Sequence, residues 1–260
     1  MKRTFVRGAL AAAVVAGIVA ASTQARAQED RQDDPLMGKH RKMESSQNFA
    51  FELRFAPFVP AIDTDPSLHG ATPYHDTFHN SSRVLFEMEL DWQPLRIPHL
   101  GTLGPGLGIG YTKMSGPAPF LNPHPNPDGS VSTISGETTA LEIYPLYAVA
   151  VLRADVLWRE LHIPLVPYAK LGIGYWLWRA SNQLGTSTYG GQSGVGGSLG
   201  TQLAVGLGFN LNVFDEYSAK NFDDAVGVNN TYVFAEYARS DLDGLGIQGN
   251  PLRVGGRAWT

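Results

Sequence analysis

Acidic side chains occupy alternate positions in residues 82–92, where Glu87, Glu89 and Asp91 are separated by apolar residues. A period of two is typical of a β-strand, in which successive side chains point to opposite faces, so the three carboxylates share one face. Such a face does not suit the dry core of a soluble protein, because buried charges need water or partners. We therefore expect these carboxylates to line a wet or ion-paired interior.

Other alternating stretches contribute charges to the same interior. The expected interior charges are Glu52, Arg54, Glu87, Glu89, Asp91, Glu142, Lys170 and Glu236. They can form a gate or an ion path, or a network of salt bridges that plugs the interior. A closed sheet of eight strands is just wide enough inside to be filled by side chains, which favours the plug.

Histidines suggest two further kinds of site. His75 and His79 have a spacing that binds a metal when both lie on one helix face. The segment has no helix signal and no clear third ligand, so we expect solvated histidines, no metal and no cofactor. His79 and Ser81 would share a face in an extended segment, with Glu87 or Glu89 following as the acid. This arrangement suggests a lipid-modifying hydrolase as the alternative function.

The strand pattern is clearest in residues 199–211, which read L-G-T-Q-L-A-V-G-L-G-F-N-L. Large apolar residues alternate with small or polar ones, as in the narrow barrels that cross membranes with apolar residues outward. The other stretches of this kind are residues 48–58, 82–92, 102–113, 137–156, 163–179, 230–238 and 252–260. We predict an all-β fold, an eight-stranded antiparallel up-and-down transmembrane β-barrel.

The expected connections alternate between long and short. Long loops surround His69, His124 and Gly190, and they lie outside the cell if the N-terminus is periplasmic. Residues 214–229 are amphipathic and are expected to form a short helix in a periplasmic connection. Trp176 and Trp178 are expected in an interfacial aromatic belt.

Residues 1–27 have the parts of a secretory signal peptide: basic residues near the start, an apolar run and the small-x-small site Ala-Arg-Ala. Residues 28–47 are polar with mixed charges, and we expect a disordered periplasmic leader. Residues 48–260 form the barrel. The chain has no cysteine, which excludes disulfides and a lipoprotein anchor. Its net charge of −4 argues against nucleic acid as a partner.

The last strand ends at Trp259-Thr260, without the terminal aromatic residue usual in outer-membrane barrels. We therefore expect either a last strand that is cut short by several residues or a sequence that is a fragment.

Three segments carry a resemblance to a known family: F-E-L-R-F-A-P at 51–57, P-Y-A-K-L-G at 167–172 and L-R-V-G-G-R at 252–257. They are similar to a family of outer-membrane barrel proteins of myxobacteria and relatives. With its strand alternation and loop asymmetry, the mature chain resembles small outer-membrane barrels of the OmpA, OmpX and OmpW kind. The resemblance implies fold and outer-membrane location and carries no activity.

We therefore predict an integral barrel of the Gram-negative outer membrane with a structural, surface-interaction or weak, porin-like permeation role and no catalysis. The expected partners are outer-membrane lipid, lipopolysaccharide and the barrel-assembly machinery, with no nucleic acid and no indicated small-molecule ligand. A soluble lipocalin-like barrel is a further alternative. It would need apolar residues inside, which the polar inner faces at 82–92, 102–113 and 199–211 oppose.

Overall fold

The computed structural model describes residues 48–125, 128, 131–189, 191–214, 228–249 and 251–260. The expected signal peptide and leader lie outside these residues, as do residues 215–227 of the helix expected over 214–229. The strands are β1 (Phe49–Pro60), β2 (Arg83–Trp92), β3 (Leu95–Ile97), β4 (Gly101–Pro125), β5 (Val131–Tyr144), β6 (Leu146–Arg153), β7 (Leu165–Asn182), β8 (Gly185–Thr186), β9 (Thr188–Tyr189), β10 (Gln192–Ser193), β11 (Val195–Asn210), β12 (Tyr232–Asp241) and β13 (Gly256–Trp259).

The main sheet closes on itself as a ring. Going round it, β1 pairs with β2, β2 with β4, and β4 with both β5 and β6. Strands β5 and β6 both pair with β7, and β7 pairs with β11. The ring continues from β11 to β12 and from β12 to β13, and β13 closes it by pairing with β1. Every pair is antiparallel. The predicted antiparallel sheet of eight strands is confirmed, with β5 and β6 sharing one position.

Pro145 separates β5 from β6. A proline has no backbone N–H to donate to the ladder, so the strand is interrupted there. The carbonyl of Pro145 still accepts from the backbone N–H of Gly110 at 2.9 Å, which keeps β4 against this position. Residues 137–156, expected as one strand, are thus interrupted at a single residue.

The ring has polar side chains inside and apolar side chains outside along much of its wall. On β11, Gln202 and Ala204 are buried, whereas Leu203 and Val205 are exposed. This is the orientation expected for residues 199–211. It reverses the usual distribution of a soluble protein, in which apolar side chains are the buried ones.

Two layers fill the inside of the ring. Charged residues lie towards the end where β1 begins, and an apolar cluster lies towards the end where β1 finishes at Pro60. The apolar cluster contains Ala56, Phe58, Ile62, Tyr74, Phe78, Leu85, Met114, Leu141, Ile143, Trp176, Leu242, Val254 and Ala258. It is therefore built from strands together with the connections that close this end.

Helix α1 (Pro73–Phe78) closes the apolar end, with Tyr74 and Phe78 buried. Its first residue is a proline, which is favoured in the first helical turn. The carboxylate of Asp63 accepts from the backbone N–H groups of Tyr74 and His75, both at 2.8 Å. The expectation of no helix here is wrong, because the capping carboxylate comes from ten positions before the helix.

Several expected loops and faces differ in the structure. Residues 114–125 continue β4, and residues 131–135 belong to β5, where a loop was expected. Trp176 is buried against Phe58, with ring centroids 5.7 Å apart, so its placement in an outer aromatic belt is wrong. Trp178 is partly buried against the same apolar cluster.

The remaining helical segments are short. Helix α2 (Val156–Arg159) lies in the connection between β6 and β7, and single 3-10 turns span Ile62–Thr64, Pro66–Leu68, Leu211–Val213 and Gly244–Gly246. In the described part of the chain, none of the helices has the length and apolar character needed to cross a membrane.

Candidate functional site: a charge network inside the ring

Strand alternation and register bring the interior charges together. Glu52 and Arg54 on β1 face inward beside β2, where Glu52 pairs in register with Glu89 and Arg54 with Glu87. Lys170 on β7 and Glu236 on β12 face them from the other side of the ring. The exposed fractions of Arg54, Glu89 and Glu236 are at most 1%. We call these side chains, with Asp91 and Arg153, the charge network.

Arg54 is the most connected cation of the charge network. Its Nη1 lies 3.0 Å from Glu236 Oε1 and 3.8 Å from Glu87 Oε2. Its Nη2 contacts Glu89, and its Nε lies 3.5 Å from Glu52 Oε2. A guanidinium has five N–H donors in a planar fork, so it can serve several carboxylates at once.

Lys170 contacts three of the same carboxylates. Its Nζ lies 2.6 Å from Glu52 Oε2, 2.8 Å from Glu89 Oε1 and 3.1 Å from Glu236 Oε2. Three donors of the ammonium thus meet three acceptors. Glu52, Glu89 and Glu236 are each held between Arg54 and Lys170, which joins strands β1, β2, β7 and β12 across the interior.

Arg153 on β6 completes the network and was missed by the sequence analysis. Its Nη2 contacts Glu52 and lies 2.5 Å from Asp91 Oδ2. It shares the inward face with Val149 and Val151. Because those two residues are apolar, this face of β6 was not recognised as an inward face. Continuing the count by twos from Val149 to Arg153 would have revealed the charge.

Glu142 does not join the charge network, which corrects the expectation. It lies on the outer face of β5, where its carboxylate is 2.9 Å from Lys113 Nζ on β4. Leu141 and Ile143 take the inward positions beside it. Both alternating sets of this strand contain apolar residues, so the pattern alone assigned the wrong set to the interior.

Aromatic rings form the walls around the cations. The guanidinium of Arg54 lies 5.7 Å from the ring centroid of Tyr147. Tyr168 faces both Arg153 at 5.3 Å and Lys170 Nζ at 5.1 Å. These distances are within the range of cation–π attraction. The rings also exclude water from the network, which strengthens its ion pairs.

Glycines make room for these two rings. A Cβ on Gly108 would lie 2.0 Å from Tyr147 Cζ, and one on Gly206 would lie 2.3 Å from Tyr168 Cζ. Each ring therefore rests directly on the backbone of a neighbouring strand. The glycine-rich inner face of residues 102–113 thus accommodates an aromatic side chain.

Among the described residues, the charge network contains more carboxyl groups than cationic side chains. Its carboxylates are Glu52, Glu87, Glu89, Asp91 and Glu236, and its cations are Arg54, Arg153 and Lys170. The cavity that borders Glu87 and Trp176 has a volume of about 10 Å³, which is room for one water molecule. Side chains therefore leave little free space beside Glu87 and Trp176.

Carboxylates of Glu52, Glu89 and Asp91 offer ligand atoms within 4.8 Å of one another. The same three groups contact Lys170, Arg54 and Arg153. Side-chain cations already neutralise this cluster, so its geometry fits an ion-pair network rather than a cage of ligands for a metal.

His79 and Ser81 are arranged differently from the extended segment that a hydrolase site would need here. His79 and Asn80 have left-handed backbone angles, with φ of 54° and 52°, directly after α1. The backbone N–H of Ser81 donates to the carbonyl of Phe78, and its own carbonyl accepts from the Tyr74 hydroxyl. The acids Glu87 and Glu89 belong to the charge network inside the ring.

Tyr74 anchors the closed end above the network. Its side chain is buried in the apolar cluster, and burial raises the pKa of its phenol. The neutral hydroxyl donates to Ser81 at 2.9 Å. This contact holds the segment after α1 over the ring, so the apolar end is covered by ordered structure.

No known protein family matches this chain, and no curated protein matches it.

Proposed function

We propose that the chain is an integral outer-membrane β-barrel whose interior is plugged by the charge network, with its long loops acting at the cell surface. The observation that carries this proposal is the inverted distribution of side chains, with charges inside and apolar groups outside. The exposed outer residues include Val84, Leu90, Trp92, Leu107, Ile109, Leu171, Ile173, Leu203, Val205, Leu207 and Trp259.

Exposing this many apolar side chains to water is unfavourable in free energy. Soluble monomers rarely expose contiguous apolar patches larger than a few hundred Å². Lipid removes that cost, and closure of the sheet pairs the backbone groups that lipid cannot satisfy. The inside-out pattern supports a membrane-spanning barrel over a soluble lipocalin-like one.

The arrangement of the connections supports an orientation. The connections after β1, β4, β7 and β12 lie at one end, and they include α1 and the long β4–β5 hairpin. Outer-membrane barrels have long extracellular loops and short periplasmic turns. We propose that the end closed by α1 faces the outside and that the charge network lies nearer the periplasm. Outer-membrane lipid, lipopolysaccharide and the barrel-assembly machinery are then the expected partners.

The clamp formed by Arg54 and Lys170 supports a closed interior. Both cations contact Glu52, Glu89 and Glu236 on different strands, so opening a passage would separate several buried ion pairs. Breaking a buried pair leaves an uncompensated charge at a cost of about 3–5 kcal/mol. A structural or surface-interaction role therefore suits this barrel better than steady permeation.

Conductance in planar bilayers tests the proposal. The full chain is refolded into phosphatidylcholine membranes, and folding is checked by a heat-modifiable gel shift. We expect no steady current from the native chain. Replacing both clamp cations (Arg54→Ser and Lys170→Ser) should give a current that favours cations, because five carboxylates then line the interior. Lys113→Ser, on the outer face, is the matched control and should behave like the native chain.

Two results would contradict the proposal. Failure of the folded chain to enter lipid would exclude the membrane-spanning barrel. Steady conductance of the native chain would exclude the plug and indicate a permeation role.

A further inference from the structure

Two arginines face each other across neighbouring strands on the outside of the ring. Arg239 on β12 and Arg257 on β13 are direct partners in register, and both side chains are exposed. Like charges directly opposite each other on one face of a sheet are destabilising. The pair therefore needs a compensating anion or an aqueous surrounding.

The surrounding wall is apolar. Leu203 is the partner of Arg239 on β11, and Val59 is the partner of Arg257 on β1. Both of these side chains are exposed on the same outer face. Cations on the lipid-facing wall of a barrel are costly in mid-bilayer and tolerated near its interfaces. We therefore expect the two guanidinium groups to lie near the membrane surface, away from the middle of the bilayer.

Within the described residues, the two cations differ in their carboxylate partners. Arg239 Nη2 lies 2.7 Å from Asp241 Oδ2, which neutralises that charge. Arg257 has no carboxylate within ion-pairing distance among the residues that the structure describes. The arginine pair with Asp241 therefore retains a net positive charge on an apolar wall.

Features on both sides of the pair fit a lipid headgroup region. Tyr237 and Trp259 pack against each other one row nearer the periplasmic end, with ring centroids 4.9 Å apart. Tyrosine and tryptophan are enriched at membrane interfaces. Towards the outer end, Arg239 borders an open cavity of about 220 Å³, which Arg253, Asp241 and Asp243 also line. A phosphate group on a lipid anchored below would thus have open space beside Arg239, while its charge would be met by the Arg239–Arg257 pair.

We propose that Arg239 and Arg257 bind a phosphate group of an anionic glycolipid of the outer leaflet. The proposal rests on the proposed function, since it needs this wall of the ring to face lipid at the outer surface. Arginine matches phosphate oxygens with paired N–H donors, and two guanidinium groups facing each other can share one dianion. The acyl chains would cover Leu203 and Val59 beside them.

Native mass spectrometry of the refolded full chain in detergent micelles tests this site, with phosphorylated lipid A as the probe. Dephosphorylated lipid A and inorganic phosphate are the comparison arms. We expect the double variant Arg239→Gln/Arg257→Gln to bind lipid A about tenfold more weakly. The double variant R239K/R257K keeps both charges but loses the paired N–H donors, so it should bind more weakly than the native chain and more tightly than R239Q/R257Q. R179Q removes a single outward arginine of β7 that lacks a facing arginine, and it should bind like the native chain.

The outcomes test the arginine site separately from the proposal of a membrane-spanning barrel. Insertion into vesicles together with equal binding of phosphorylated and dephosphorylated lipid A would overturn the arginine site and leave the barrel intact. Unchanged binding by R239Q/R257Q would overturn it as well. Competition by inorganic phosphate without any preference for lipid A would assign the site to a free anion and reject the lipid. Failure to insert into vesicles at all would instead overturn the proposed function.

Discussion

Arg54 Nη1 lies 3.0 Å from Glu236 Oε1 across the interior, although the two residues are 182 positions apart in the chain. The contact joins β1, the first strand of the ring, to β12, which is separated from β1 by β13 alone. Both side chains are almost completely buried, so neither can exchange its partner for bulk water. The ion pair therefore forms only when the ring closes.

Arg54→Met should destabilise the folded chain by about 3–5 kcal/mol, because it leaves four buried carboxylates with one cation fewer. Urea titration followed by tryptophan fluorescence and the heat-modifiable gel shift measures this change. Arg83→Met is the matched control. Arg83 is exposed at the start of β2, and among the described residues it donates to the carbonyl of Ser82 at 3.4 Å. Its replacement should change stability by less than about 0.5 kcal/mol. Equal effects of the two substitutions would count against the network as a stabilising element.

Glu89→Gln and Glu142→Gln should differ in their effect on stability, because Glu89 lies in the interior and Glu142 on the outer face. Glu89 is buried and contacts both Arg54 and Lys170. Its neutral variant should lower stability by about 2–4 kcal/mol, since a charge-assisted pair is lost in a dry site. Glu142 pairs with half-exposed Lys113, and its variant should leave the urea midpoint almost unchanged. A larger loss for Glu142→Gln would restore the earlier assignment of Glu142 to the interior.

Gly108→Ala should destabilise the ring by about 1–3 kcal/mol, the usual cost of overpacking. The new methyl group would meet the ring of Tyr147, which in turn lies beside Arg54. Gly136→Ala is the control, because a Cβ there meets nothing within 4 Å. Thermal gel-shift midpoints of the two variants provide the comparison. Indistinguishable midpoints would show that the Tyr147 ring can move away freely.

Single-tryptophan variants should report which wall faces lipid. Trp92 and Trp259 are 50% and 63% exposed on the outer face, whereas Trp176 is 1% exposed inside the ring. In vesicles containing brominated lipid, we expect strong quenching of Trp92 and Trp259 and weak quenching of Trp176. The same variants in lipid without bromine are the reference. Quenching of Trp176 as strong as that of Trp92 would contradict the inward placement of Trp176.

Much of the wall could be predicted from local alternation. In residues 199–211 and 82–92, one set of alternating residues is bulky and apolar while the other is small or charged, so the inward face follows from side-chain chemistry. The same alternation predicts that Arg54, Glu89, Lys170 and Glu236 all face the interior. Their two-residue spacing is a property of the backbone and needs no tertiary information.

The strand at 131–153 shows where local alternation fails. Leu141 and Val149 compete with Tyr144 and Ala148 for the inward face, so apolar residues occur on both sides of the strand. Only packing against Trp176 and the neighbouring apolar cluster selects the set that is buried. That choice places Glu142 outside and Arg153 inside. Helix α1 depends in a similar way on Asp63, which reaches it from outside the helix.

The sequence by itself determined the strands, their alternation and most of the charges that face inward, because each of these depends on neighbours one or two residues away. The tertiary structure alone decided which charges meet. Arg54 and Lys170 share Glu52, Glu89 and Glu236 through the register of strands distant in the chain. It also decided that Arg239 faces Arg257 on the outer wall. Register between distant strands depends on closure of the whole ring, and no local pattern encodes it.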